Sequence, residues 1–234
     1  MKNTIQDKTK LVNSVFSEVY KKYDLMNDIM SFGIHRVWKD KFIDWMKPSQ
    51  SSSLIDVASG TGDIAKRFSL RVNSLSEITC VEPNSEMFQK GKNNLKTFNN
   101  IKWIKSRAET LPVKDNLYDF YSISYGIRNV TDINKTLREA YRVIKPGGRF
   151  MCLEFSKIDN ELLNFLYKKY SKTIPLIGKY IVGSSEPYEY LVKSINSFYT
   201  QEQLSELIIK NGFTNVEYRN LSSGISAIHS GWKI

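Results

Sequence analysis

The residues with the clearest chemical potential lie in one short run, Asp56-Val57-Ala58-Ser59-Gly60-Thr61-Gly62-Asp63-Ile64-Ala65. An apolar stretch from Leu54 to Ala58 leads into it, and a helix is expected to begin near Asp63. The run is therefore a strand–turn–helix junction, where doubly wound sheets bind nucleotides. Gly60 and Gly62 let the backbone approach a ligand closely. Gly60-x-Gly62-x-x-Ala65 also fits the dinucleotide fingerprint, and the carboxylates decide between the two readings. A dinucleotide places a pyrophosphate on the helix N-terminus, where Asp63 stands with Asp56 at the strand end behind it. Two anions there repel a pyrophosphate. S-adenosylmethionine has no phosphate and carries an ammonium and a sulfonium, so acidic groups suit it. A helix-start carboxylate favoured by the dipole accounts for Asp63 but leaves Asp56 unexplained. Glu82 ends the second strand, about twenty residues beyond the glycines, where an acidic side chain accepts both ribose hydroxyls. After the third strand, Arg107-Ala108-Glu109 offers backbone groups that frame an adenine.

The elements that must position these residues follow from periodicity. Val12, Val15, Phe16, Val19, Tyr20 and Tyr23 recur at helical spacing, and a second helical stretch runs from about Val37 to Met46 and stops near Pro48. Gln50 to Ser53 is a polar linker. Strands are expected at Leu54–Ala58, Ile78–Val81, Ile101–Ile104 and Phe120–Ser124, with helices from near Asp63, over Asn84–Lys96 and over Thr131–Val143. Pro146-Gly147-Gly148 turns the chain into a strand from Arg149 to Glu154. This alternation implies a largely parallel sheet covered on both faces. It lapses at Glu161 to Tyr170, a helical stretch rich in aromatics. Pro175, Gly178 and Gly183 break the chain beyond it, and a helix resumes over Glu186–Ser197. Thr200 with Gln203 forms a capping box, Gly212 stops the last helix, and Phe213–Tyr218 with Ile225–His229 close the sheet. The expectation is one Rossmann-like α/β domain: residues 1–50 a helical cap, 51–157 the binding core, 158–200 a helical insertion, and 201–234 a last helix and strand pair.

Bulk properties narrow the classes. With 234 residues, 41% apolar and 25% charged, the chain reads as an ordinary globular protein. No run approaches eighteen apolar residues, so no membrane-spanning helix is expected, and the first residues lack the apolar core of a signal peptide. Cys80 and Cys152 fall in buried strands and read as reduced core thiols. Two histidines, His35 and His229, argue against a zinc site, and no metal is expected. A net charge of +10 attracts something anionic. The lysines are scattered, however, and no RNA-binding signature appears, so no nucleic-acid partner is expected. A solvated basic surface and a membrane-surface role stand level.

Longer strings carry a family resemblance. Tyr23-Asp24-Leu25-Met26-Asn27-Asp28-Ile29-Met30-Ser31-Phe32-Gly33-Ile34-His35-Arg36 is one, and Tyr125-Gly126-Ile127-Arg128-Asn129-Val130-Thr131-Asp132 another. Leu153-Glu154-Phe155-Ser156-Lys157 and the tail Asn220-Leu221 through Gly224-Ile225, Ala227, His229 and Gly231 add to them. From about Val15 to its end the chain resembles the ubiquinone/menaquinone biosynthesis C-methyltransferases of the UbiE/MenG type. The resemblance implies a class I methyltransferase fold with a mostly parallel seven-stranded sheet. It also implies methyl transfer from S-adenosyl-L-methionine to a ring carbon of a polyprenyl benzoquinol or of demethylmenaquinol. Cofactor contacts then fall on Thr61, Glu82, Arg107, Ala108 and Ser124, beside Asp56, Gly60 and Gly62. Three positions depart from the family pattern: Ser59 replaces a third glycine, Glu82 an aspartate, and Arg107 a small polar residue. Arg107 is harmless there if only its backbone meets the adenine.

A quinol carbon becomes nucleophilic once a phenolic proton leaves, and a phenol titrates near 10. Arg128, beside the expected methyl group, is the first choice to stabilise the phenolate; its structural alternative is a salt bridge to Asp132. Asn129 orients a water or a quinol oxygen, or caps the helix that begins near Thr131. Asp24, His35 and a water remain open as the base, with His35 equally readable as a structural histidine. Tyr23, Asn27 and His35 are expected in the acceptor pocket. The aromatic stretch at Leu162 to Tyr170, interleaved with Lys168, Lys169 and Lys172, either packs on the sheet, mediates a homodimer, or forms a mouth for the prenyl tail on lipid headgroups. The partners implied are a lipid quinol, a peripheral membrane contact, and a homodimer or quinone-biosynthesis complex. The location implied is cytoplasmic, including the inner membrane face. The nearest rival keeps the cofactor and changes the acceptor, for instance to RNA.

Overall fold

Short strands buried along their whole length require cover on both faces, and Leu54–Val57 (β1) and Ile78–Val81 (β2) are such strands. The computed structural model describes residues 33–158 and 185–234, together with Ser17, Asp28, Ser31, Lys169, Tyr170, Thr173 and Ile174. The remaining strands are Ile101–Ile104 (β3), Tyr118–Ser124 (β4), Ile144–Phe155 (β5), Thr214–Leu221 (β6) and Ser226–Trp232 (β7). They form one seven-stranded sheet in the order β3-β2-β1-β4-β5-β7-β6. β1 to β5 pair in parallel, and β7 lies antiparallel between β5 and β6. Helices His35–Met46 (α1), Asp63–Ser69 (α2), Ser85–Asn94 (α3), Ile133–Val143 (α4), Glu186–Asn196 (α5) and Gln201–Lys210 (α6) cover the sheet. This is the expected Rossmann-like arrangement. Strand order runs outward in both directions from β1 and β4, so the crevice at their C-terminal ends is the switch point where such sheets bind ligands.

Side-chain alternation along β1 decides what each face of that crevice receives. Leu54 packs in one core cluster with Trp38, Phe42 and Met46 of α1. Ile55 and Val57 pack in the other, with Leu137 of α4 and Ile208 of α6. Asp56 therefore points to the face that α1 covers. The helix reaches that face because its apolar residues recur at helical spacing, and Lys47 ends it in a left-handed turn just before Pro48.

Most elements lie where expected, and the differences have local causes. Pro146-Gly147-Gly148 does not precede β5 but lies inside it. Tyr118 pairs with Ile144 and Phe120 with Arg149, so the extra residues form a bulge between the two pairs. Helix α4 is capped by Asp132, which accepts from Lys135 N at 3.0 Å, and not by Asn129. The capping box of Thr200 and Gln203 opens α6 as read. Cys80 and Cys152 are buried free thiols on β2 and β5. The first amphipathic helix, with Tyr23, Asp24 and Asn27, and most of the aromatic stretch lie outside the described residues. Within that stretch, Lys169 is exposed while Tyr170 packs against the core, beside which Ile174 is buried. Among the described residues no helix is long and apolar enough to cross a membrane.

Helix α3 presses closely on the glycine turn because Gly91 has no side chain. A Cβ there would stand 2.2 Å from the Trp103 ring and 2.9 Å from the Gly60 carbonyl oxygen. Gly91→Ala is expected to cost about 1–3 kcal/mol through overpacking, read by urea denaturation. A loss below about 0.5 kcal/mol, typical of an unconstrained surface site, would contradict this packing.

Candidate functional site

The glycine turn is shaped by backbone conformations that side chains resist. Ala58 and Tyr125, which follow β1 and β4, both have positive φ (54° and 55°). Such left-handed residues store strain where surrounding structure over-determines them. Gly126 permits the two turns to touch, since a Cβ on it would lie 2.6 Å from the Ala58 side chain. The cavity beneath is lined by Lys39, Asp56, Ser59, Gly60, Thr61, Asp63, Ser124 and Tyr125, among others. The structure thus brings together Asp56, Gly60, Thr61 and Ser124, as the sequence led us to expect.

Asp56 is almost fully buried, and Ser122 Oγ donates to its Oδ1 at 2.6 Å. Its Oδ2, like Ser124 Oγ, is buried with no protein partner among the described residues. Burial pushes the Asp56 carboxyl up to about 7, because the charged form loses its water. Glu82, also buried, spans two loops: Gly60 N donates to Oε2 and Asn84 N to Oε1, each at 2.9 Å. Burial raises it to about 7 as well, against those two hydrogen bonds. Asp63 requires a correction. Counted from sequence as an anion facing the ligand, it is paired with Lys39 Nζ at 2.8 Å and Arg67 Nε at 3.0 Å. These cations outweigh its burial and hold its carboxyl below the ordinary value. Repulsion of a pyrophosphate therefore rests on Asp56 far more than on Asp63.

Ala108 is buried beside the sheet, and the Arg107 guanidinium is turned to Glu109 at 3.1 Å and to Thr131. The Arg107 guanidinium is thus engaged by its neighbours, which leaves its backbone to meet a ligand beside Ala108. Two buried atoms without partners beside a strained turn, with a lysine close by, suit a ligand bearing both an ammonium and a carboxylate. That donor set fits the amino-acid portion of S-adenosylmethionine. Glu82, with lone pairs to spare beyond its two backbone bonds, fits its ribose. Among the described residues no three His, Cys, Asp or Glu side chains gather as metal ligands.

Arg128 lies in the short 3-10 turn after β4 and is buried. Its partner is not Asp132, which caps α4, but Glu154 at the end of β5. Arg128 Nη1 also donates to the Tyr125 carbonyl at 3.1 Å, and the guanidinium sits over the Phe155 ring at 5.5 Å. Burial raises the Glu154 carboxyl while Arg128 opposes the rise. Asn129 Oδ1 accepts from Tyr190 OH at 3.0 Å. Arg128, Thr131, Tyr190, Lys193, Phe198 and Tyr199 line a cleft of about 540 Å³ between this turn and α5, within the range of ligand pockets.

His35 does not line that cleft. It lines a separate groove with Thr61, Gly62, Lys66 and Asn94. Its position is fixed at the start of α1, where Nε2 meets Asp28 Oδ1 at 2.9 Å and Ser31 Oγ accepts from its backbone N–H at 3.2 Å. Burial lowers its pKa against the opposing Asp28 hydrogen bond, which favours the neutral imidazole. Sequence reasoning missed three residues. Lys39 is one helical turn after His35, a spacing that could have found it. Glu154 is a charge inside an apolar strand, a signal in plain view. Nothing in the local sequence pairs Tyr190 with Asn129.

Known proteins resemble this chain along nearly its whole length. The ubiE/COQ5 methyltransferase family matches residues 2–233. A Rickettsia bellii protein named ubiquinone/menaquinone biosynthesis C-methyltransferase UbiE is 50% identical over 97% of this chain and 94% of its own. Its Rickettsia akari namesake is 52% identical over the same shares. The Brucella abortus (strain S19) protein of that name is 46% identical over 97% of this chain and 87% of its own. Among solved structures, a SAM-dependent methyltransferase of Thermotoga maritima, titled a possible histamine N-methyltransferase, superposes with TM-score 0.66 at 22% identity, over 95% of this chain and all of its own. One from Aquifex aeolicus gives 0.61 at 15% identity, over 84% of this chain and 89% of its own. These two likenesses show the fold.

The raised carboxyls have a measurable consequence. A buried acid with a raised pKa contributes stability that is complete below its unfolded value and lost as pH rises through its folded value. For Asp56 that window runs from 3.8 to about 7. His35 and His229, both lowered by burial, act in the opposite sense over an overlapping range, so the signal is a difference. Between pH 4.5 and 8, ligand-free parent protein should lose about 2–4 kcal/mol of stability relative to Asp56→Asn, measured by urea denaturation. Parallel profiles would contradict it.

Proposed function

The chain belongs to the ubiE/COQ5 methyltransferase family, and from that membership we propose that it methylates a ring carbon of a polyprenyl benzoquinol or naphthoquinol. S-adenosylmethionine supplies the methyl group as an electrophilic sulfonium substituent. The observation that carries the reading is a shared wall. Tyr125 lines the cavity under the glycine turn, and its carbonyl accepts from Arg128, which lines the neighbouring cleft. A donor in the first and an acceptor in the second lie side by side.

Each residue then has a physical task. Asp56 and Ser124 receive the cofactor's amino-acid end, and the Gly60–Gly62 backbone admits it without a side-chain clash. Glu82 takes the ribose hydroxyls, while the backbone of Arg107 and Ala108 frames the adenine. Arg128 remains cationic and favours the phenolate over the phenol, whose ordinary pKa is near 10. Glu154 and the Phe155 ring hold that guanidinium in place, so no reorganisation is needed as charge develops. Asn129 accepts from Tyr190, which lines the cleft, and so helps hold that phenol toward the acceptor. Fixing carbon, methyl and sulfur in line supplies several kcal/mol, up to about 7–11 in favourable systems.

A lipid acceptor requires contact with the membrane that holds it, and in the cytoplasm the single methyltransferase domain would meet it at the inner face. Lys169, which is exposed, would add roughly 1 kcal/mol near an anionic surface.

Methyl-labelled S-adenosylmethionine should place label in demethylmenaquinol or a methoxy-benzoquinol. Cells lacking the gene should accumulate the demethylated quinone. Label that enters RNA and leaves both quinols untouched would overturn the acceptor class. Arg128→Lys keeps a cation beside Glu154 but loses the planar fork. It should lower kcat by about 10- to 100-fold with cofactor affinity unchanged, as read by steady-state kinetics and calorimetry.

A further inference from the structure

Lys39 is a buried lysine to which the chemistry of ring methylation assigns no task. It lies on the buried face of α1, which Trp38, Phe42 and Met46 anchor in the core. Its side chain is 7% exposed and reaches the cavity under the glycine turn. There its ammonium meets Asp63 Oδ2 at 2.8 Å, which occupies one of its three donors. Asp63 does not explain the burial. It is a third exposed, and it already has Arg67 as a second cation. A buried ammonium is expensive unless its remaining donors are met. The cavity that Lys39 shares with Asp56 Oδ2 and Ser124 Oγ thus contains a cationic donor as well as an acidic acceptor.

We propose that Lys39 binds the α-carboxylate of the cofactor's amino-acid portion. The inference rests on the reading of this cavity as the S-adenosylmethionine site, and it adds the group that recognises the one anion in that ligand. Asp56 and Lys39 then divide the zwitterion between them: the carboxyl of β1 meets the ammonium, and the lysine of α1 meets the carboxylate. Asp63, itself braced by Arg67, holds Lys39 in place. The arrangement assigns α1 a share in the cofactor site, which the glycine turn alone does not provide. It also gives selectivity for the intact amino acid over adenosine derivatives that lack the carboxylate.

The test compares two ligands on one protein by calorimetry. S-adenosylhomocysteine carries the carboxylate; decarboxylated S-adenosylmethionine lacks it. Lys39→Met should weaken S-adenosylhomocysteine by roughly 10- to 100-fold, the worth of a charge-assisted hydrogen bond, and leave the decarboxylated ligand within about threefold. Lys39→Arg should recover most of the loss. Lys39→Gln, which keeps a polar head, carries the same comparison if the methionine variant does not fold. Equal weakening of both ligands would mean that Lys39 acts only by supporting Asp63, and would overturn the assignment. Parent protein that binds neither ligand would instead overturn the cofactor reading itself.

Discussion

A buried carboxylate with an oxygen left unpartnered is the interaction on which the rest of the structure turns. Asp56 lies in a strand whose other residues are all apolar, and burial pushes its carboxyl to about 7. Ser122 satisfies one oxygen and no described residue satisfies the other. Leaving such a group buried costs free energy that an apolar side chain would not. Protonation offsets part of that cost, as the raised pKa records, and a cation arriving at the open oxygen offsets the rest. Fold and function therefore pull against each other at this position, as is common where a site is built into a core.

The neighbouring elements all bear on that site. Alternation along β1 turns Asp56 toward α1, which brings Lys39 to the same cavity, where it pairs with Asp63 at the start of α2. Glu82 ties the glycine turn to the loop after β2 through two backbone bonds, so this carboxylate braces the turn. On the other side, Tyr125 is held left-handed between the two cavities, and its carbonyl is engaged by Arg128. Arg128 in turn is fixed by Glu154 on the adjacent strand. The cavity under the glycine turn and the cleft at Arg128 are thus connected through the ends of β1, β4 and β5 and not through a long loop. That is the rigid support that alignment of a methyl transfer requires.

Much of this is legible in the sequence because it is local. The short, mostly apolar runs of β1 and β2, the glycine turn, and the Thr200–Gln203 box each announce themselves within a few residues. What is not legible depends on contacts between distant segments. Spacing alone pairs Arg128 with Asp132, four residues on, whereas its partner Glu154 is 26 residues away and reached only because β4 and β5 are neighbours. Asn129 reads as a helix cap, but Asp132 fills that role and leaves Asn129 for Tyr190. Sequence overstates the negative character of the turn, since nothing in the spacing of Asp56 and Asp63 reveals that a helix from residues 35–46 delivers a lysine between them. Resemblance puts His35 with the acceptor pocket, and the structure sets it in a groove beyond Thr61 because the start of α1 is tied to Asp28 and Ser31.

If Asp56 awaits a cation, proton linkage will reveal it. Near pH 7 its carboxyl is about half protonated. A bound ammonium should draw it to the ionised form, so the complex must release a proton. Calorimetry of S-adenosylmethionine binding in buffers of different ionisation heat counts that proton. The release should be larger for the parent protein than for Asp56→Asn. Equal proton counts in the two proteins, or no binding of the cofactor by the parent, would contradict a cation-receiving role for Asp56.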